Sequence, residues 1–289
     1  MAIRLLVVLI VLGLLHVLPQ LARWRGDGLF RRWVDQLSDT SGAGRVALAL
    51  LVPGALCVLV VWLLGRSPLG ELVQLLFGLA VLLYCLGPRE FEADLERILA
   101  AGDDSGREAA AQALADDGQP VGWNATALGE AIAYAALRRR FAVLLWFFAL
   151  GPVGALLYRL AQTLGRDDTL RLDAAAQRVA GYVANALDWL PAQLLTFTLA
   201  VVGHWEAVID AWRRWHTQAT PTSWWRTGPG FLGEAARADV RIDIEGGDGY
   251  AEEHSDPLAE LRRLRSALLR ALLAWLSVVA LIVIGGLAG

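Results

Sequence analysis

Five polar side chains stand beside or inside two long apolar stretches of this sequence, and they are the residues best suited to bind a polar ligand. They are Arg159, Gln162, Asn185, Asp188 and Gln193. Ionisable groups in an apolar environment are expensive, so they are usually either paired or functional. Two interpretations follow: a ligand-binding pocket, or a structural role as an Arg159–Asp188 ion pair or as interfacial caps.

Other motifs that could hold a metal or a nucleotide do not fit their templates. The acidic stretch IEGGDGYAEEH (244–254) fails the calcium-loop pattern, because the fifth position counted from Asp243 is Gly247. A standard phosphate-binding loop needs a lysine, and the sequence has none. The four histidines show no ligand spacing. The sequence therefore predicts no catalytic residue, no metal site and no cofactor.

The composition indicates an integral membrane protein. Hydrophobic residues make up 56% of the chain and charged residues 19%, whereas soluble domains have about 25% charged residues. All 26 basic residues are arginines, and the net charge of −3 gives no argument for nucleic-acid binding. Cys57 and Cys85 lie inside apolar runs, so we expect them to pack as small apolar side chains.

Six runs without Asp, Glu or Arg are each long enough to cross a bilayer, which takes about 17–25 residues. They are Leu5–Ala22, Val46–Gly65, Leu72–Pro88, Phe141–Tyr158, Trp189–Trp205 and Ala271–Gly289. The predicted fold class is all-α: a polytopic membrane helical bundle with four to six transmembrane or membrane-embedded helices. Pro152 and Pro191 interrupt the fourth and fifth runs, so either six full spans or four spans plus two embedded helices fits the pattern.

Arginine placement predicts the orientation, because cytoplasmic loops are enriched in basic residues. Arginines cluster at 23–45, 89–140 and 206–270, so we expect these segments in the cytoplasm and both termini outside. The expected organisation is one membrane domain over 1–289. Within it, 88–140 forms a cytoplasmic helical segment, and 206–266 forms a cytoplasmic segment with a flexible Gly/acidic loop.

Two cytoplasmic patterns are specific enough to predict local structure. Phe91, Leu95, Ile98 and Leu99 have the spacing of an amphipathic helix. Residues 220–257 are rich in Gly, Pro and charge and are expected to be loop, with VRIDI (240–244) alternating like a short strand. The Arg138–Arg140 block is expected to lie at the anionic inner leaflet as an anchor.

A family resemblance rests on the same polar residues. The stretches GEAIAYAALRRRFAVLLWFFALGPVGALLYRLAQTL (129–164) and ANALDWLPAQLLTFTLAVVGHW (184–205) resemble the AmpE family of bacterial inner-membrane proteins. That resemblance implies a modulator of β-lactamase induction, encoded beside the cytoplasmic amidase AmpD, which recycles cell-wall muropeptides. It also implies a multi-pass protein of the inner membrane.

AmpE-like sequences are in turn similar to the CobD membrane enzymes, which join an aminopropanol moiety to a corrinoid side chain. Tyr158, Arg159, Thr163, Pro191 and Ala192 match the stretches of that family. Other motif positions differ: Gln162 replaces an Asn, Gly165 an Asp and Gln193 an Arg, while Asn185 and Asp188 stand where Asp and Asn would be. The resemblance therefore implies the scaffold of that enzyme family, with altered active-site residues.

Three hypotheses of function result. The first is a non-enzymatic inner-membrane regulator of β-lactamase induction and cell-wall turnover. The second is a membrane-embedded ligase or transferase of the CobD type, and the third is a transporter of a cell-wall fragment. The expected partners are the lipid bilayer and either an AmpD-like amidase or a cell-wall-derived small molecule.

Overall fold

The computed structural model describes residues 1–17, 26–66, 69–86, 91–115, 120–218, 224–248 and 256–286, and every regular element in these ranges is helical. The α-helices are α1 (Ala2–Val17), α2 (Gly28–Gln36), α3 (Gly42–Leu64), α4 (Gly70–Cys85), α5 (Phe91–Ala100), α6 (Asp104–Ala111), α7 (Ala125–Ala136), α8 (Ala142–Leu150), α9 (Pro152–Arg166), α10 (Ala174–Val202), α11 (Trp205–Gln218), α12 (Trp224–Thr227), α13 (Phe231–Asp248) and α14 (Pro257–Ile284). A 3-10 turn (Gln112–Leu114) follows α6, and a π-helical turn (Leu137–Phe141) joins α7 to α8. The expected all-α class is confirmed.

Two helices of the described chain are long and apolar enough to cross a membrane. Helix α3 has 23 residues and α14 has 28, and the most apolar 18-residue stretches within them have mean hydropathies of 2.7 and 2.5. The apolar parts of α1 and α4 are shorter. Large apolar side chains of α3 and α14 are exposed, among them Leu56 at 60% and Ile284 at 82%. Length and composition thus support two of the four to six expected spans.

The chain packs into two compact units, each built from separate parts of the sequence. Unit 1 comprises Met1–Glu90, Ala142–Leu187 and Val279–Gly289, and unit 2 comprises Phe91–Phe141 and Asp188–Val278. The boundary at 187/188 falls inside α10, so this one helix contributes residues to both units.

The core of unit 1 forms where the amphipathic helix α2 meets three longer helices. Phe30 and Val34 of α2 are buried one helical turn apart, so they face the same side. Side chains of α3, α9 and α10 complete the cluster: Val46, Ala49, Leu160, Leu164, Ala176 and Ala180, with Leu170 from the connection before α10. This packing fixes the orientation of α9, which carries two of the candidate residues.

The fourth apolar run is not one continuous helix. It breaks at Gly151, whose φ of 70° is a left-handed conformation that glycine adopts without strain. Pro152 then begins α9 at a position where its missing N–H costs nothing. The Arg4 side chain donates hydrogen bonds to the carbonyls of Phe148 (2.7 Å) and Ala149 (3.1 Å), which satisfies the end of α8.

Asp173 joins the starts of two helices of unit 1. Its carboxylate accepts hydrogen bonds from the backbone N–H of Ala176 (3.1 Å) in the first turn of α10 and of Gly42 (3.2 and 3.3 Å) at the start of α3. These backbone bonds, led by the one from Ala176, lower the pKa of the Asp173 carboxyl below its usual value. One half-buried residue of the connection therefore caps both helices.

Unit 2 contains the predicted amphipathic helix, and it is also helical in part of the segment that was predicted to be loop. Phe91, Leu95 and Ile98 of α5 are buried, as their spacing indicated. The expected loop over 220–257 is wrong for residues 224–227, which form α12, and for residues 231–248, which form α13; VRIDI is helical. Buried residues explain α13, because their spacing follows a helical face: Phe231, Leu232, Ala235, Ala236, Asp239 and Val240. Residues 249–255 of the predicted Gly/acidic loop lie outside the described residues.

The two cysteines are buried and form no disulfide. Cys57 of α3 is 4% exposed and Cys85 of α4 is 1% exposed. Their packing as small apolar side chains agrees with the prediction from the sequence.

Candidate functional site

In unit 1, α9 approaches α10 closely at Gly165. A Cβ atom at Gly165 would lie 2.7 Å from the Ala180 carbonyl oxygen and 2.9 Å from the Ala184 Cβ. A side chain here would force the two helices apart, so the packing requires glycine. The aspartate that the CobD resemblance places at this position does not fit the observed arrangement of α9 and α10.

Next to this contact, Arg166 connects two of the candidate residues. Arg166 Nε donates to Gln162 Oε1 (2.7 Å), and Arg166 Nη2 donates to Asn185 Oδ1 (3.0 Å). Gln162 Nε2 also donates to the carbonyl of Ala184 (3.2 Å). Gln162 is 6% exposed. The two amides therefore hold α9 against the first half of α10 through one buried and two half-buried polar contacts.

Arg159 lies in a separate polar cluster of unit 1. Its Nη2 donates to Asp27 Oδ2 (2.8 Å), and the Tyr84 hydroxyl donates to Asp27 Oδ1 (2.9 Å). The Arg159 and Asp27 side chains are 17% and 11% exposed. The Asp27 carboxylate thus joins α9 and α4 to the start of α2 through charge-assisted hydrogen bonds.

In unit 2, Asp188 is fully buried and paired with an arginine of the π-helical turn. Arg138 Nε lies 3.2 Å from Asp188 Oδ2, and the Arg138 guanidinium also lies 5.1 Å from the Tyr134 ring centre. The sequence interpretation that paired Arg159 with Asp188 is therefore wrong about the partners. Arg159 has Asp27 as its carboxylate partner, and Asp188 has Arg138.

Gln193 contacts the following helix of unit 2. Its Oε1 accepts a hydrogen bond from Trp212 Nε1 of α11 (2.9 Å), and Gln193 is 7% exposed. Trp212 in turn packs against Phe197, with the ring centres 5.6 Å apart. Gln193 therefore links the second half of α10 to α11 within an aromatic layer.

The arginines beside Arg138 are also paired within unit 2. Arg139 Nη1 lies 2.8 Å from the buried Asp94, which also pairs with Arg97. Arg140 Nη1 lies 2.9 Å from Glu92. The Arg139 and Arg140 side chains are only 11% and 12% exposed. The expected membrane anchor at 138–140 is thus wrong about where these side chains lie, because they face carboxylates inside the unit.

The junction of α10 and α11 holds a histidine–aspartate contact. Asp239 Oδ1 accepts the backbone N–H of His204 (2.7 Å) and lies 3.3 Å from the His204 ring Nδ1. A Cβ atom at Gly203 would lie 2.1 Å from the same carboxylate oxygen. Asp239, 1% exposed, thereby fastens α13 to the start of α11. This contact could not be predicted from the sequence, because α13 itself was not predicted.

The structure therefore places the five sequence-predicted residues in polar contacts. Gln162 and Asn185 are joined in unit 1, while Arg159, Asp188 and Gln193 each have a partner elsewhere in their own unit. Sequence reasoning missed Asp27 and Arg166. Arg166 could have been found, because it lies four residues after Gln162 on the same helical face.

The sequence is similar to one described protein family and to a curated relative. The model of the family described as regulatory signalling modulator protein AmpE matches residues 3–225. A protein of Chromobacterium violaceum, named cobalamin biosynthesis protein CobD, is 32% identical over 219 residues. That match covers 72% of this chain and 66% of the relative, just under two thirds of its length. No solved structure matches.

Proposed function

Because the chain belongs to the AmpE family, we propose that it is a regulatory modulator of the bacterial inner membrane that acts without catalysis. In this proposal it adjusts β-lactamase induction in response to cell-wall turnover. An AmpD-like amidase or a cell-wall-derived small molecule is its partner. Family membership supports a regulatory role. The link of that role to β-lactamase induction and cell-wall turnover is our proposal.

The observation that carries the proposal is that the polar groups of the candidate residues are bonded to other side chains of the protein. Gln162 and Asn185 are hydrogen-bonded to Arg166, and the carboxylate of Asp188 faces Arg138. An active-site acid or base must instead be within reach of the substrate proton that it transfers. Polar groups that bond neighbouring helices favour a regulator whose helix packing responds to a signal.

Ligand recognition remains part of the proposal. Arg159, Gln162 and Asn185 in unit 1, and Asp188 and Gln193 in unit 2, are the proposed contacts. A ligand with carboxylates or amides would compete with the protein partners of these side chains. Binding would then change the packing of α9 and α10, because a ligand that prefers one arrangement of the two helices shifts the equilibrium towards it.

We further propose a multi-pass topology of four to six spans. The lengths of α3 and α14 support two spans, and the apolar helices α1 and α4 are candidates for two more. The break at Gly151 and the buried polar residues of α10 favour embedded helices for the fourth and fifth runs. Segments 23–45, 89–140 and 206–270 are placed in the cytoplasm in this topology.

Deletion of the gene in its own host, followed by induction of β-lactamase with a β-lactam, tests the proposal. We expect an altered induction response that a plasmid copy restores. The same strain should grow without added cobalamin. Unchanged induction together with a cobalamin requirement would contradict the regulatory proposal.

That second outcome would favour the alternative, a membrane-embedded ligase or transferase of the CobD type with altered active-site residues. The 32% identity to the Chromobacterium violaceum protein supports this alternative. The glycine at position 165 and the amide of Gln162 weigh against it, because both replace groups expected in that chemistry. Transport of a cell-wall fragment has only the broken helix at Gly151 in its support, and uptake of labelled muropeptide into vesicles tests it.

A further inference from the structure

Unit 1 contains a cavity that none of the candidate residues lines. Its volume is about 450 Å³, and its lining residues are Asp35, Ser38, Arg45, Thr169 and Arg171. They come from α2, the turn after α2, the first turn of α3 and the connection between α9 and α10. Small-molecule pockets have volumes of about 300–1,000 Å³, so the cavity has room for a ligand of modest size.

Arg45 is the buried, positively charged residue that lines this cavity. The residue is 6% exposed, and its Nη2 donates to the carbonyl of Val34 (3.0 Å). Its Nε is shielded from water and has no hydrogen-bond partner. Among the described residues, none of the ion pairs involves Arg45. A buried guanidinium without a carboxylate is costly and is stabilised by a bound anion.

The position of Arg45 in the helix makes a bound anion still more favourable. It lies in the first turn of α3, where the helix dipole places partial positive charge. A second positive charge is unfavourable at that end, whereas an anion is attracted by both the dipole and the guanidinium. Arg171 adds a further cation at the exposed rim, and within the described chain it takes part in no ion pair.

The remaining lining residues narrow the class of ligand. The Thr169 hydroxyl is occupied, because it accepts from Arg31 (2.6 Å) and donates to Asp167 (2.6 Å). Ser38 offers a hydroxyl donor. Asp35 is the one acid among the lining residues and suits a hydroxyl of the ligand, since a carboxylate accepts hydrogen bonds.

The cavity walls are held in place by contacts already described and by one ion pair. Asp173 fastens the 167–173 connection to the start of α3. Arg31 of α2 pairs with Asp167 at 2.7 Å and holds the other end of the connection. A site whose walls are fixed before binding loses less entropy when the ligand arrives.

We propose that this cavity binds a phosphate group with a neighbouring hydroxyl. Arg45 and Arg171 contact the phosphate oxygens, Ser38 donates to them, and Asp35 accepts from the hydroxyl. Arginine is well suited to this role, because its planar donors match phosphate geometry. The glycerol headgroup of an anionic lipid and a soluble glycerol or sugar phosphate share this chemistry. The site is independent of the regulatory function proposed above.

Binding of glycerol 3-phosphate to the purified full-length chain in neutral detergent tests the soluble source. Isothermal titration is run at constant ionic strength, with glycerol and sodium chloride as controls. Arg171→Gln and Arg45→Gln should each weaken binding at least about tenfold, as expected for the loss of a charge-assisted hydrogen bond. Arg32→Gln is the matched control, because Arg32 is an exposed arginine of α2 that does not line the cavity.

A second arm tests the lipid source. The same proteins are equilibrated with mixed micelles of phosphatidylglycerol and phosphatidylcholine, and retained lipid is measured by native mass spectrometry. Selective retention of phosphatidylglycerol that Arg171→Gln abolishes, without glycerol 3-phosphate binding, supports a headgroup site. Binding in either arm that is lost in Arg171→Gln and kept in Arg32→Gln supports the proposal. If binding in neither experiment is weakened by Arg171→Gln, the proposal is overturned. Arg171 is exposed, so this variant decides the result even if Arg45→Gln does not fold.

Discussion

At the scale of single residues, Gly165 sets the distance between α9 and α10. The Cβ of alanine at this position would lie 2.7 Å from the Ala180 carbonyl oxygen, so Gly165→Ala should destabilise the protein by about 1–3 kcal/mol through overpacking. Thermal unfolding in detergent measures this loss.

Gly181→Ala is the matched control for that substitution. It lies in α10 with open space around its Cβ position, so it should stabilise the helix by about 0.5–1 kcal/mol. Equal stability of Gly165→Ala and the wild type would mean that α9 and α10 are farther apart than the structure shows.

The Asp27–Arg159 contact is the second feature at this scale. Both side chains are largely buried, so Asp27→Asn or Arg159→Gln alone should cost roughly 3–5 kcal/mol, because the surviving charge is left uncompensated. The double variant should cost much less than the sum of the two. Equilibrium unfolding of all four proteins gives the coupling energy.

A more exposed pair of unit 1 provides the comparison. Arg31 and Asp167 form an ion pair in which the arginine is 45% exposed, and pairs at the surface contribute about 0–1 kcal/mol. A coupling energy for Asp27–Arg159 no larger than that for Arg31–Asp167 would contradict its role as a buried pair.

These contacts mark the limit of what the sequence predicts for the site. Charges in apolar surroundings had to be paired, and that expectation holds for Arg159 and Asp188. The identity of the partner could not be deduced, because Asp27 is separated from Arg159 by 132 positions in the chain. Only the packing of α2 and α4 against α9 brings these residues together.

At the scale of elements, Asp173 stabilises α3 and α10 together. Asp173→Ala should lower the melting temperature, because the backbone N–H groups of Gly42 and Ala176 lose their acceptor. Asp168→Ala, an exposed aspartate in the same connection, is the control. An equal effect of the two substitutions would contradict the cap.

The lowered pKa of Asp173 also predicts a pH dependence. Since the folded state holds this carboxyl ionised, its contribution is fully present above the unfolded pKa of about 3.9. It is lost as the pH falls through the lower pKa of the folded state. Asp173→Asn should therefore narrow the stability difference between neutral and acid pH. Parallel pH profiles of Asp173→Asn and the wild type would contradict this linkage.

Helices could be predicted where the sequence has one clear pattern, either a long apolar run or an amphipathic spacing. The apolar run of α3 and the amphipathic spacing of α5 were both read correctly. Helix α13 was missed because Gly246 and Gly247 near its end, together with its charges, resemble a loop composition. The buried face that begins at Phe231 instead indicates a helix. Packing within unit 2 outweighs the low helix propensity of the two glycines.

At the scale of the whole molecule, the arginine distribution predicts which parts of the chain cross the membrane. Alkaline phosphatase, which is active only outside the cytoplasm, should be active when inserted after Arg66 or fused after Gly289. It should be inactive when inserted within 206–223. Fluorescent-protein fusions at the same positions should give the reverse pattern. Cytoplasmic behaviour of the fusion after Gly289 would overturn the orientation.

The buried thiols of α3 and α4 make this protein unusually suited to single-site labelling. The chain has no lysine, so amine-reactive dyes meet only the amino terminus. Cys57 and Cys85 are 4% and 1% exposed, so maleimides should react slowly with the wild type. One cysteine placed at an exposed position such as Asp168 would then carry nearly all of the dye. Each loop can thus be mapped by its reaction with impermeant reagents in whole cells, without first removing the native cysteines.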